Sequence, residues 1–242
     1  MNFNKARVFF VLLGCLLLVA GALLLNKDIL LSPVQVKNER FTTYARTFET
    51  IPILRSQLAL ADDAFVTISA KSFYVLDLTS NTVLAERNAE RILRPASTTK
   101  LMTALIALEL WPRTMPITTT SVPELSGFKS IFPIGQQYYL EDLIRAALIQ
   151  SSNDAAYLIA QQHTEGISGF VARMNERAQE LGLESTYFEN PAGFDADNQI
   201  SSARDLAILT KEFLRVPFLA EVVATSQATI TTIDGKFSVP LR

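Results

Sequence analysis

The sequence predicts an α+β domain with an antiparallel sheet and a helical subdomain, on three observations. Strand-prone runs come first, a series of helical patterns follows, and a second hairpin pattern lies near the end of the chain. That order differs from the alternating βαβ units of a parallel sheet. At 242 residues there is room for one sizeable domain with appendages.

Residues 73–78 and 82–86 are short β-prone runs around Thr79-Ser80-Asn81, a hairpin signal. Pro95 ends the approach, and residues 97–110 read as a helix. Its apolar residues Leu101, Met102, Leu105, Ile106 and Leu108 leave almost no polar face. A helix that is apolar nearly all round is central and buried. Residues 141–150 form a second helix with Leu143, Ile144, Ala147 and Leu148 on one face. The pattern breaks at Ser151-Ser152-Asn153-Asp154 and resumes over 155–162. Residues 167–181 are amphipathic through Phe170, Val171, Met174 and Ala178, with Gly182 as a natural stop. Ser202-Ala203-Arg204-Asp205 reads as a capping box opening a helix to Leu214, with Asp in place of the usual Glu. Residues 228–233 and 236–239 flank Asp234-Gly235, which predicts a hairpin closed by a type I′ turn. The last strands of the sheet are expected to be missing from this chain.

Composition narrows the chemistry. A net charge of −2 carries no basic footprint for nucleic acid. Cys15 is the single cysteine, which excludes an intramolecular disulfide framework and a cysteine-rich metal site. His163 is the single histidine, and it follows Gln161-Gln162 at a helix end, a surface position. A Ser-His-Asp triad would have to use it. No Glu/Asp cluster stands at ligand spacing, so neither a metal nor a cofactor is expected.

The apolar excess is local. Lys5 and Arg7 precede an uninterrupted apolar stretch over residues 8–25. About 18 residues at 1.5 Å each reach about 27 Å, close to the hydrocarbon core of a bilayer. An uncleaved signal anchor with Lys5 and Arg7 in the cytoplasm is the favoured reading. Cleavage near Ala20-Gly21-Ala22 and lipidation at Cys15 are the alternatives. All three export the rest of the chain. Residues 26–61, irregular and carrying Pro33 and Pro52, read as a stalk, and residues 62–242 as the catalytic domain.

Two motifs carry chemistry. In Ser97-Thr98-Thr99-Lys100, positions i and i+3 of a helix share a face, with Cβ atoms about 5–6 Å apart. A serine hydroxyl needs a base within reach, and a buried lysine whose pKa is lowered can supply one. The helix N-terminus adds partial positive charge and free N–H groups beside Ser97. Ser-x-x-Lys alone reads equally well as an N-cap serine with a surface lysine, and Ser126-Gly127-Phe128-Lys129 repeats the spacing without a helical pattern after it. Lys100 differs because it lies in a helix with few polar positions. Ser151-Ser152-Asn153 by itself reads as a helix cap. Ser-x-x-Lys followed by Ser-x-Asn, however, is the opening of a known catalytic signature.

Four stretches together resemble the D-alanyl-D-alanine carboxypeptidases, the low-molecular-weight penicillin-binding proteins of the serine β-lactamase-like superfamily. They are Arg94-Pro95-Ala96-Ser97-Thr98-Thr99-Lys100-Leu101-Met102-Thr103-Ala104, Leu148-Ile149-Gln150-Ser151-Ser152-Asn153-Asp154-Ala155-Ala156, Phe188-Glu189-Asn190-Pro191-Ala192-Gly193-Phe194-Asp195 and Ser201-Ser202-Ala203-Arg204-Asp205-Leu206. The resemblance implies Ser97 as nucleophile, Lys100 as general base, Ser151 as proton relay, and Asn153 orienting Lys100 and substrate. It implies a peptidoglycan stem peptide as substrate, β-lactams as covalent inhibitors, and a place outside a bacterial cytoplasmic membrane. No Lys-Thr-Gly, Lys-Ser-Gly or Arg-Thr-Gly occurs in the 242 residues, and Lys236 is followed by Phe237-Ser238. That departure favours a non-catalytic cell-wall-binding domain as the alternative; a β-lactamase is a further reading, weakened because no Glu can be assigned to activate a deacylating water.

Overall fold

The computed structural model describes residues 69–123 and 130–242. The apolar stretch 8–25, the stalk and the second Ser-x-x-Lys motif lie outside the described residues. Among the described residues, no helix is long and apolar enough to cross a membrane.

The chain opens with an antiparallel hairpin of β1 (Phe73–Asp77) and β2 (Thr82–Arg87). The turn between them is set by Asp77, whose carboxylate accepts the Thr79 N–H at 2.9 Å, and by Asn81 in the left-handed region at φ 56°. A short 3₁₀ turn, Ala96–Thr98, leads into α1 (Thr99–Leu110). The predicted helix is therefore present, with its first residues wound more tightly. Thr99, Lys100 and residues 102–107 are all buried, which matches the apolar circumference read from the sequence.

Around α1 pack α2 (Leu140–Ile149), α3 (Asn153–Ala160), α4 (Gly166–Glu180) and α5 (Ala203–Leu214), followed by α6 (Pro217–Val223). Two further hairpins complete the described residues. They are β3 (Pro116–Thr118) with β4 (Gln137–Tyr139), and β5 (Ala228–Thr231) with β6 (Ser238–Leu241). The expected antiparallel pairing is present and, among the described residues, takes the form of three two-stranded ladders. Met102, Ile106, Leu143, Ile144, Leu158 and Phe170 are each at most 1% exposed and form one continuous core. At about 1.5–3 kcal/mol per fully buried large apolar side chain, this cluster dominates the favourable side of folding.

The element ends follow local chemistry. Gly182, at φ 69°, donates to Gln179 O while Leu183 N–H returns to Ala178 O. That pair of bonds is a Schellman cap on α4. Ser202 caps α5 by accepting the Asp205 N–H at 3.1 Å, as its motif predicts. The return half of the capping box is not made: Asp205 Oδ2 accepts instead from Ser185 N and Thr186 Oγ1, tying α5 to the chain after α4. The β5–β6 connection also departs from expectation. Its strands end at Thr231 and Ser238, so the loop is longer than a two-residue type I′ turn. Thr232 and Asp234 bond to each other and to the loop backbone, and these side-chain bonds stabilise the wider turn.

Candidate active site

Ser97 sits exposed on the 3₁₀ turn, and Lys100, three residues on, is 1% exposed in the first turn of α1. Lys100 Nζ lies 3.2 Å from Ser97 Oγ and 3.4 Å from Ser151 Oγ. It donates at 2.8 Å to Asn153 Oδ1 and at 2.8 Å to the Ala192 carbonyl. All four residues singled out from the two motifs therefore converge on one nitrogen.

Burial lowers the Lys100 pKa from 10.5 to about 8, because the apolar surroundings disfavour the ammonium form. The shift matters for chemistry at neutral pH. At pH 7 an ordinary lysine is neutral in about one molecule in three thousand, whereas a pKa of about 8 makes that about one in ten. A neutral amine has two N–H bonds and one lone pair. Asn153 Oδ1 and Ala192 O are pure acceptors at the two short contacts, so they hold both N–H bonds. The lone pair is left facing the hydroxyls, in position to take a proton from Ser97.

Backbone strain flanks this centre. Ala96, immediately before Ser97, has φ 48°, and Ser151 has φ 56°. Left-handed geometry is uncommon for residues with a Cβ and persists where surrounding contacts enforce it. For Ala96 the enforcing neighbour is Gly193, at φ 90°, whose backbone packs against the Ala96 carbonyl. A Cβ on Gly193 would stand 1.8 Å from that oxygen. Ser151 projects from the break between α2 and α3, where Ser152 caps α3 by accepting the Ala155 N–H. The structure moves the start of α3 forward from the expected residue 155 to Asn153, so Asn153 is held by the helix itself.

Ser97, Lys100 and Ser151 line a cavity of about 270 Å³ whose other wall is apolar: Leu101, Leu148 and Val223. The exposed Lys236 pairs with Asp234 at 3.1 Å in the β5–β6 loop. His163 is half-buried rather than fully on the surface, its Nδ1 accepting the Glu165 N–H at the end of α3. The sequence reading assigned no role to the turn at residues 190–194. There, Asn190 Oδ1 accepts the N–H groups of Ala192, Gly193 and Phe194, and the turn delivers the Ala192 carbonyl to Lys100. An Asn-Pro-x-Gly string is the signal that marks such a turn.

Comparison with known proteins identifies the family. Residues 57–241 match peptidase family S11, the D-alanyl-D-alanine carboxypeptidases. The chain is 32% identical over 178 residues to a D-alanyl-D-alanine endopeptidase of Pseudomonas aeruginosa, covering 72% of this chain and 57% of that one. It is 35% identical over 160 residues to the D-alanyl-D-alanine carboxypeptidase DacA of Escherichia coli K12, covering 61% of this chain and 40% of DacA. Among solved structures, penicillin-binding protein D2 of Listeria monocytogenes in its ampicillin-bound form aligns with a TM-score of 0.61 at 26% identity, covering 73% of this chain and 72% of that one. The chain spans about half the length of the curated relatives it matches. With a family match over most of its length, this chain belongs to the D-alanyl-D-alanine carboxypeptidase family.

Proposed function

We propose that the protein is a serine-type D-alanyl-D-alanine carboxypeptidase that trims peptidoglycan stem peptides. The observation that carries this reading is the buried Lys100 amine within 3.2 Å of an exposed Ser97 hydroxyl. Neutral Lys100 takes the Ser97 proton as Oγ adds to the carbonyl carbon between the two terminal D-alanines. Ser151 passes its proton to the departing D-alanine nitrogen and takes a replacement from the Lys100 ammonium, 3.4 Å away, as the C–N bond breaks and an ester on Ser97 remains. Water hydrolyses that ester and restores the hydroxyl. Asn153 holds one amine hydrogen of Lys100 throughout and orients the substrate amide. A β-lactam ring opened by the same attack leaves Ser97 acylated.

The proposal places the catalytic domain outside a bacterial cytoplasmic membrane, held by residues 8–25. Lys5 and Arg7, immediately before the apolar stretch, support that orientation.

A non-catalytic wall-binding domain is the second reading, favoured by the lack of Lys-Thr-Gly in these 242 residues. One experiment separates the two. The protein is incubated with a fluorescent penicillin and resolved on a denaturing gel. A covalent band that Ser97→Ala abolishes is expected. No band in the parent, or a band that survives Ser97→Ala, overturns the enzymatic reading.

A further inference from the structure

We propose that Gln199 is a positioning residue for the Ser97–Lys100 pair, acting through Thr99 and the turn at residues 190–194. This inference rests on the acyl-transfer reading above.

Gln199 is 0% exposed, and every polar atom of its side chain is used between two parts of the site. Its Oε1 accepts the Glu189 N–H at 2.7 Å, the Asn190 N–H at 3.2 Å and Asn190 Nδ2 at 3.4 Å. Its Nε2 donates at 2.9 Å to Thr99 Oγ1, also 0% exposed, the residue between Thr98 and Lys100 on α1. Asn190 in turn organises the three N–H groups that shape the turn, and the turn presents Ala192 O to Lys100. A second strut runs nearby from Thr103 Oγ1 to Pro191 O at 2.6 Å. The turn is thus pinned to α1 on both sides of Lys100 in the sequence.

The consequence is geometric. The lone pair of Lys100 faces Ser97 only while both amine hydrogens are held, and one holder is Ala192 O. If the Gln199–Thr99 link is cut, the turn loses a buried tie to α1 and the carbonyl drifts from the amine. A misplacement of about 1 Å at a reacting group can cost about a hundredfold in rate. Gln199 touches neither Ser97 nor the space above it, so its effect passes through the groups it holds.

Thr99→Val cuts the link with almost no change in volume and leaves the bonds from Gln199 to the turn intact. Thr99→Ser does the reverse, keeping the hydroxyl and removing the methyl. Gln199→Met cuts the link from the other side. Two quantities are followed: the second-order rate constant for acylation by a fluorescent penicillin, and the pH midpoint of the Lys100 ¹³Cε resonance. The proposal expects acylation to fall about tenfold to a hundredfold in Thr99→Val. It expects the Lys100 midpoint to fall in the same variant, because the ammonium form loses a carbonyl partner. Thr99→Ser is expected to restore both, and the Thr99→Val/Gln199→Met double variant to be no slower than the worse single variant. Acylation in Thr99→Val within about threefold of the parent, or a loss that Thr99→Ser does not restore, overturns the proposal. If the parent is not acylated at all, the enzymatic reading fails, and the Lys100 midpoint alone decides the role of Gln199. A midpoint unchanged in Thr99→Val then overturns it.

Discussion

At the scale of single residues, the site rests on a lysine kept from its preferred state. Below pH 8 both folded and unfolded chains carry Lys100 protonated, and the folded chain bears the full cost of burying that charge. Between about 8 and 10.5 the unfolded chain still holds the proton while the folded one has released it. Stability contributed by this group therefore rises with pH across that window. Chemical denaturation at pH 7, 8, 9 and 10 is expected to show this rise in the parent and not in Lys100→Met. Acylation should follow the same titration, climbing about tenfold per pH unit below 8 and levelling above it. A flat profile from pH 6 to 9 would contradict the base assignment. Helical spacing on an apolar helix singled out Ser97 and Lys100, whereas Ser151 and Asn153 read by themselves as a helix cap and joined them only through the combined motif and the family resemblance. Thr99, Asn190 and Gln199 were not legible in the sequence, since their parts depend on hydrogen bonds between segments ninety or more positions apart.

At the scale of elements, local rules succeeded where the cause was local. The all-round apolar pattern of α1, the Gly182 stop and the Ser202 cap each depend on a few neighbouring residues, and each is present. The rules failed where a side chain had a better partner than the one its motif assigns. Asp205 abandons its own capping box for Ser185 and Thr186, and Asp234 joins Thr232 in place of a tight turn. The pairing of the 190–194 turn with the start of α1 belongs to the same class. Gly193→Ala tests it, because the added methyl meets the Ala96 carbonyl at 1.8 Å at a φ of 90°. The expected result is a loss of at least about 2 kcal/mol in unfolding free energy and at least about tenfold in acylation. Retention of both values would show that the turn can move away from Ala96 freely.

At the scale of the molecule, α1 is the common support. Its buried face joins the core, and its C-terminal end reaches a network of partly exposed ion pairs. Glu109 on α1 pairs with Arg173 at 3.1 Å and with Arg177 at 2.9 Å, both on α4. Arg177 also pairs with Glu212 on α5 at 3.2 Å. Hydrogen bonding to Glu180 is the main cause holding the Arg173 pKa above its usual value. Such pairs contribute modestly and are screened by salt. Glu109→Gln is expected to cost about 0.5–1 kcal/mol in urea unfolding at low salt, with most of the difference gone in 1 M NaCl. An equal cost at both salt levels would point to packing instead. The fold class was legible because element order needs no long-range information, and the β1–β2 and β5–β6 hairpins because their turn signals are local, whereas the β3–β4 pairing has no such signal between its strands. The burial of α1 also sets where this protein is free to change over generations. A helix buried along most of its first three turns, with Ser97 just ahead of it, leaves selection few substitutions there that spare the fold. If the proposed function holds, adaptation to a new inhibitor is instead channelled to the cavity rim, where the half-exposed Val223 can vary with little disturbance of the core.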